Sequence, residues 1–184
     1  SLHQFDLATG RDLRFDLPGR PGFAYPIAGK TTFVVGLERQ VGEFDPATGT
    51  FHVLVDSVDA QVAGTIINDG ALFDGGLIFG CKDLRFAEKK AGLYLLRTGE
   101  SRLIDLRHDQ ICSNGKQVVT RDGQTMLLDI DSPTKSVVEY PLDVARGVVG
   151  APRVVLDLTQ GESFPDGMEI TPDGRSIIIA FYDP

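Results

Sequence analysis

Three stretches of this 184-residue sequence repeat one plan. The last, Ser163 to Pro184, opens with Pro165-Asp166-Gly167 and alternates apolar and polar residues through Met168 and Ile170. It then turns at Pro172-Asp173-Gly174 and leaves on the apolar run Ile177 to Phe181. Ser113 to Ser132 runs the same way, from Asn114-Gly115 through the turn Asp122-Gly123 to the strand Thr125 to Ile130. Ile67 to Asp83 runs from Asn68-Asp69-Gly70 through Asp74-Gly75-Gly76 to Leu77 to Gly80. Period-two alternation, a tight Gly turn and then a continuous apolar run describe a half-buried strand hairpinned to a more buried one. Asn114 follows Asn68 by 46 positions and Asp166 follows Asn114 by 52. A hairpin that recurs at about 40 to 50 residues, with room for two further short strands, points to an all-β fold, a β-propeller of four-stranded antiparallel blades.

The remaining strands fit that frame as one domain over residues 1–184. Leu2 to Phe5 and Leu13 to Leu17 flank Ala8-Thr9-Gly10, while Val41 to Phe44 and Phe51 to Val55 flank Pro46-Ala47-Thr48-Gly49. Asp45 follows Asp6 by 39 positions, so the outer hairpins repeat as well. Pro18 to Pro26 reads as a Pro- and Gly-rich connector before a strand at Thr31 to Gly36. Gly80 to Lys90 reads as a charged loop, after which Ala91 to Leu96 and Ser101 to Leu106 pair around Thr98-Gly99. Ser136 to Tyr140 and Arg153 to Leu158 are joined by Pro141 to Pro152, where Asp143 to Gly147 is long enough for one helical turn and too short for a helix. No segment has the period of an amphipathic helix, and the chain holds roughly four blades' worth of strands.

Composition narrows the partners. A net charge of −8, with no clustered Lys and Arg, excludes a nucleic-acid surface. The longest apolar runs are strand-sized, so no membrane span is expected. Ser1 to Gln4 shows neither a charged leader nor an apolar core, and the expectation is a soluble, cytoplasmic protein. Cys81 and Cys112 read as small buried thiols. His3, His52 and His108 share no motif spacing, and no Ser lies in a nucleophile elbow, so a Ser-His-Asp set is not expected.

In a propeller the first strand of each blade faces the axis, so Asn68, Asn114 and Asp166 are expected to converge although they are far apart in sequence. Asn-Gly and Asp-Gly also favour turns for backbone reasons alone. Recurrence in phase with the blades favours the convergent reading.

These motifs carry a resemblance. Asn68-Asp69-Gly70, Ser113-Asn114-Gly115 and Pro165-Asp166-Gly167-Met168, with Asp131-Ser132-Pro133-Thr134-Lys135, stand in the order and near the spacing of the gluconolactonase, regucalcin and senescence-marker-protein family. The resemblance implies a six-bladed propeller, here truncated, a complete four-bladed ring being the alternative. It also implies one divalent metal ion (Ca, Zn, Mg or Mn) held by Asn114 and Asp166, with a third ligand, a Glu, expected before Ser1. Residues 1–184 alone are therefore expected to hold metal weakly and to be inactive. The activity implied is hydrolysis of a small, sugar-type lactone by metal-activated water, with Asp166 and Asp131 as the catalytic carboxylates and Asn68 as the substrate contact. Asp131 reads equally as a turn cap, and Asp69 as an Asx-turn residue. Where the family often carries Arg two residues before Asn68, this chain has Ile66. That difference keeps a second reading open, a calcium-binding or scaffold propeller without hydrolysis.

Overall fold

A computed structural model describes residues 1–183; Pro184, the last residue of the C-terminal repeat, lies outside the described residues. β1 (Leu2–Asp6) and β2 (Arg11–Phe15) form a hairpin. β3 (Pro21–Pro26), β4 (Phe33–Leu37), β5 (Gln40–Asp45) and β6 (Thr50–Val55) follow as a four-stranded antiparallel sheet in chain order. A second such sheet holds β7 (Thr65–Phe73), β8 (Gly76–Asp83), β9 (Ala91–Arg97) and β10 (Leu103–Gln110). The third holds β11 (Ser113–Arg121), β12 (Gln124–Asp131), β13 (Ser136–Asp143) and β15 (Arg153–Asp157), with the two-residue β14 (Val148–Val149) paired to the end of β13. A last hairpin, β16 (Phe164–Ile170) and β17 (Ile177–Tyr182), completes the order.

Each of the five sheets packs face to face on the next, and side-chain alternation divides every middle strand between two cores. In β8, Leu77 and Phe79 face the sheet before while Ile78 faces the sheet after. In β12, Leu127 and Leu128 divide in the same way between the second and last sheets. The run Leu93 to Leu96 of β9 is apolar at each position because both faces are covered. Each fully buried side chain of this kind contributes roughly 1.5–3 kcal/mol of transfer free energy, so the four inter-sheet cores hold the blades in series.

The innermost strands β3, β7, β11 and β16 pack consecutively on one another. All four carry a β-bulge at one level. The pairing skips Gly22 in β3, Asn68 in β7 and Gly115 in β11, and β16 gains one residue across Asp166-Gly167. A bulge bends the strand and re-aims a side chain, here next to the axis. Asn68 and Asn114 are thus strand residues, not turn residues.

β3 corrects one expectation, since Pro21 to Pro26 was read as part of a connector. It is the edge strand of its sheet, where proline at either end removes no needed donor. The loop expected from Gly80 also begins later, because β8 runs to Asp83. Asp122-Gly123 makes the hairpin turn as read, both residues having positive φ (51° and 76°), as a type I′ turn requires. The single turn at Asp143 to Gly147 matches those at Asp6 to Gly10 and Asp45 to Gly49. In each the Gly N–H donates to the Asp carbonyl at 2.8 Å and the Gly φ is near 70°. Cys81 and Cys112 are free and buried.

Candidate functional site

The starts of β7, β11 and β16 and the ends of β8 and β17 lie at one end of the sheets, because hairpinned strands run antiparallel. Together they line a cavity of about 300 Å³ formed by Arg20, Asn68, Lys82, Phe86, Cys112, Asn114, Asp166 and Tyr182. The three expected residues Asn68, Asn114 and Asp166 therefore do meet. A larger cavity of about 570 Å³ lies away from them, between β11, β12, β15 and the last hairpin, and is lined mainly by aliphatic residues with Arg121 and Arg175. The smaller one holds the chemistry.

Asn114 is buried and held at both ends. Its Nδ2 donates to Ser132 Oγ (2.8 Å) and weakly to Cys112 Sγ (3.5 Å), and Ser132 Oγ in turn donates to the Pro165 carbonyl (2.6 Å). The amide oxygen is thereby turned to the cavity, where it accepts from Asn68 Nδ2 at 3.0 Å and keeps its second lone pair. Asn68 Nδ2 also donates to the Ser113 carbonyl at 2.9 Å. Beneath them Lys116, only 1% exposed, donates to the Asn114 carbonyl (2.6 Å) and pairs with Asp129 (3.2 Å), the residue opposite it in β12. Asp166 is half-buried on β16, and among the described residues its carboxylate has no hydrogen-bond or salt-bridge partner.

Asp131 is placed differently. Its carboxylate accepts from the backbone N–H groups of Cys112 (2.8 Å) and Ile111 (3.1 Å), so it caps the start of β11, and it lines a separate cavity with Gln110 and Asp129. Burial raises its pKa against the pull of those two amides. Asp69 lies inside β7 with its Oδ1 on the Gly70 N–H; burial raises its pKa, which the Lys116 charge opposes. Cys112 is no nucleophile, since burial pushes its thiol up to about 11 even though Lys82 pulls the other way. None of the three His lines the cavity. Among the described residues, no three His, Cys, Asp or Glu gather as a metal cluster. Asn114 and Asp166, as a pair, include an amide that such a cluster omits. Residues missed in the sequence are Ser132, Lys116, Arg20 and Lys82, none of which belongs to the recurring Asn/Asp-Gly signature.

Serial antiparallel sheets whose bulged inner strands bring oxygen side chains to one end define a β-propeller with an axial site. The chain belongs to the SMP-30/Gluconolactonase/LRE-like family, which it matches over residues 1–183. It is 30% identical over 107 residues to a Bacillus subtilis protein provisionally named sugar lactone lactonase YvrE, a match covering 58% of this chain and 36% of that protein. Among solved structures it superposes on a luciferin-regenerating enzyme with a TM-score of 0.85 at 21% identity, covering 98% of this chain and 61% of that one. It also superposes on regucalcin, a calcium-binding protein from Agrobacterium tumefaciens, with a TM-score of 0.84 at 22% identity, covering 98% and 59%. The chain thus spans about a third of the lactonase relative and about three fifths of the two structures. Among the described residues no helix is long and apolar enough to cross a membrane.

Proposed function

We propose that this protein is a lactone hydrolase that opens a small sugar-type lactone with one divalent cation, and that Asp166 is its central carboxylate. The observation that carries the reading is the meeting of Asn68, Asn114 and an unpartnered Asp166 at one cavity. The donors suit the cation: a carboxylate and a free amide lone pair are hard oxygen ligands of the kind Ca²⁺, Mg²⁺ and Mn²⁺ take, and Zn²⁺ accepts carboxylate oxygen too. Asn114 and Asp166 hold it. When bound, such a cation polarises a carbonyl and lowers the pKa of a water. The names of two relatives, a sugar lactone lactonase and a calcium-binding protein, agree with this reading.

The chain's own residues do the rest. Asn68, its nitrogen engaged with Asn114 and the Ser113 carbonyl, offers its amide oxygen to substrate hydroxyls as an acceptor. Asp166 accepts a proton from the water that adds to the lactone carbonyl carbon. The ring C–O bond then breaks and the proton passes to the departing alkoxide, so that lactone and water give a hydroxy acid. Asp131, engaged with two backbone amides, acts as a positioning residue for the Cys112 to Asn114 segment and not as the proton acceptor.

The test is hydrolysis of glucono-δ-lactone in a pH-stat with the cation supplied, for the full-length native protein and its Asp166→Asn variant. The expected loss in kcat/KM is about 10²- to 10⁴-fold, the range for a positioned acid–base group, with the metal-free melting temperature unchanged. Activity equal to native in the variant overturns the assignment. One observation favours a second reading, a calcium-binding propeller without turnover. Ile66 is buried beside another cavity, so β7 brings no cation to a substrate. Cation-induced stabilisation that depends on Asp166, with no lactone opened by the native protein, selects that reading.

A further inference from the structure

Two cations line the candidate site, and among the described residues neither is in salt-bridge contact with a carboxylate, although Asp166 lines the same cavity. Lys82, near the end of β8, is only 8% exposed. Among the described residues its Nζ makes no hydrogen bond and no salt bridge, and what it meets is the face of Phe86, with the ring centroid 5.2 Å away. Arg20, just before β3, gives its backbone N–H to Glu38, while its guanidinium has no carboxylate partner among the described residues. An ammonium group removed from water without an anion is costly, and buried Lys is ordinarily paired. Lys116, the other buried lysine, follows that rule with Asp129. In a chain of 26 acidic and 18 basic residues, a scarcity of carboxylates does not explain the exception. Burial first and the Arg20 charge second lower the pKa of Lys82, while the charges of Cys112 and Asp166 raise it, so the Lys82 ammonium feels both the second cation and the cavity's carboxylate without contacting either.

We infer that Lys82 and Arg20 form an anion subsite in this cavity, which selects lactones carrying a carboxylate or phosphate group away from the ester. The choice of substrate rests on the lactonase reading; the anion site itself rests on the two unpaired cations. An oxyanion between them pairs with a point charge from Lys82 and a planar fork of donors from Arg20, which suits both headgroups. Because Asp166, Asn114 and Asn68 line the same cavity, a lactone ring can face Asp166 while its charged substituent meets the cations.

Two measurements test this on the full chain. First, thermal unfolding of the metal-free protein is followed with inorganic phosphate and with tartrate, in the native protein, in Lys82→Met and in Arg20→Gln. General salt stabilisation acts on all three alike, so the expected result is an additional upward shift in the native protein that both variants lose. Second, kcat/KM is compared for a neutral hexono-δ-lactone, its 6-phosphate and its 6-carboxylate. Lys82→Met is expected to lower the ratio of kcat/KM for the preferred anionic lactone to that for the neutral lactone by about 10- to 100-fold, as for loss of a charged hydrogen bond. The arm that responds identifies the headgroup. Identical anion responses and identical lactone preferences in all three proteins overturn the subsite and leave the hydrolase reading intact. An anion shift lost in the variants, with no lactone opened by the native protein, upholds the subsite and overturns the hydrolase reading. Should Lys82→Met not fold, Arg20→Gln, altered at an exposed position, carries both measurements.

Discussion

Asn114 can serve as an oxygen ligand because its nitrogen is already engaged. Ser132 accepts from that nitrogen and donates onward to the Pro165 carbonyl, so one hydroxyl sets the amide of β11 and ties β11 to β16, the strand that carries Asp166. Ser132→Ala removes the hydroxyl with almost no change in volume and leaves a buried donor and a buried carbonyl unsatisfied, at a cost of about 1–3 kcal/mol. The expected outcome is a lower melting temperature together with a smaller stabilisation by added Ca²⁺. A variant with native cation response shows that Ser132 does not orient the site. Asn68, Asn114 and Asp166 were legible in the sequence because they recur in phase. Ser132 stood in a recognisable segment, but its role arises only when β12 and β16 are brought side by side. Lys82 looks like an ordinary surface charge until the fold buries it, and Arg20, which stays exposed, is singled out only by its place beside the same cavity.

Among the elements, the inner strands depend on two glycines at their closest approach. A Cβ on Gly115 would lie 2.6 Å from Met168 Cβ and 2.8 Å from the Asp166 carbonyl oxygen, and one on Gly22 would lie 2.8 Å from the Ile67 carbonyl oxygen. Gly167, one residue after Asp166, has nothing within 4 Å of such an atom. Gly115→Ala must therefore push β16 off β11, at about 1–3 kcal/mol for an overpacked contact, whereas Gly167→Ala should be tolerated. Chemical denaturation of the two variants checks this, and equal loss in both contradicts the packing account. The same close approach explains why β3 was not legible. A segment with Pro at both ends and Gly22 at a bulge looks like a connector, and only its place as an edge strand accommodates that composition. The hairpins around Asp122-Gly123, Asp6 to Gly10 and Asp45 to Gly49 were legible because their turns follow from local backbone chemistry.

For the whole molecule, five sheets in series share four cores, and the site exists because three of those sheets align their inner strands at the same level. Residues 46 and 52 positions apart become neighbours only through this stacking, so the proposed cation site depends on convergence more than on any single side chain. Convergence predicts one cation site, contributed jointly by β11 and β16 and bordered by β7. The most direct test is to add substoichiometric Mn²⁺ to isotope-labelled protein and follow paramagnetic broadening of the side-chain amide signals. The Asn114 and Asn68 amides are expected to broaden first and together, and both to stay sharp in Asp166→Asn at the same Mn²⁺ concentration. Broadening spread over exposed carboxylate regions, or unchanged at Asn114 and Asn68 in Asp166→Asn, would contradict a shared site.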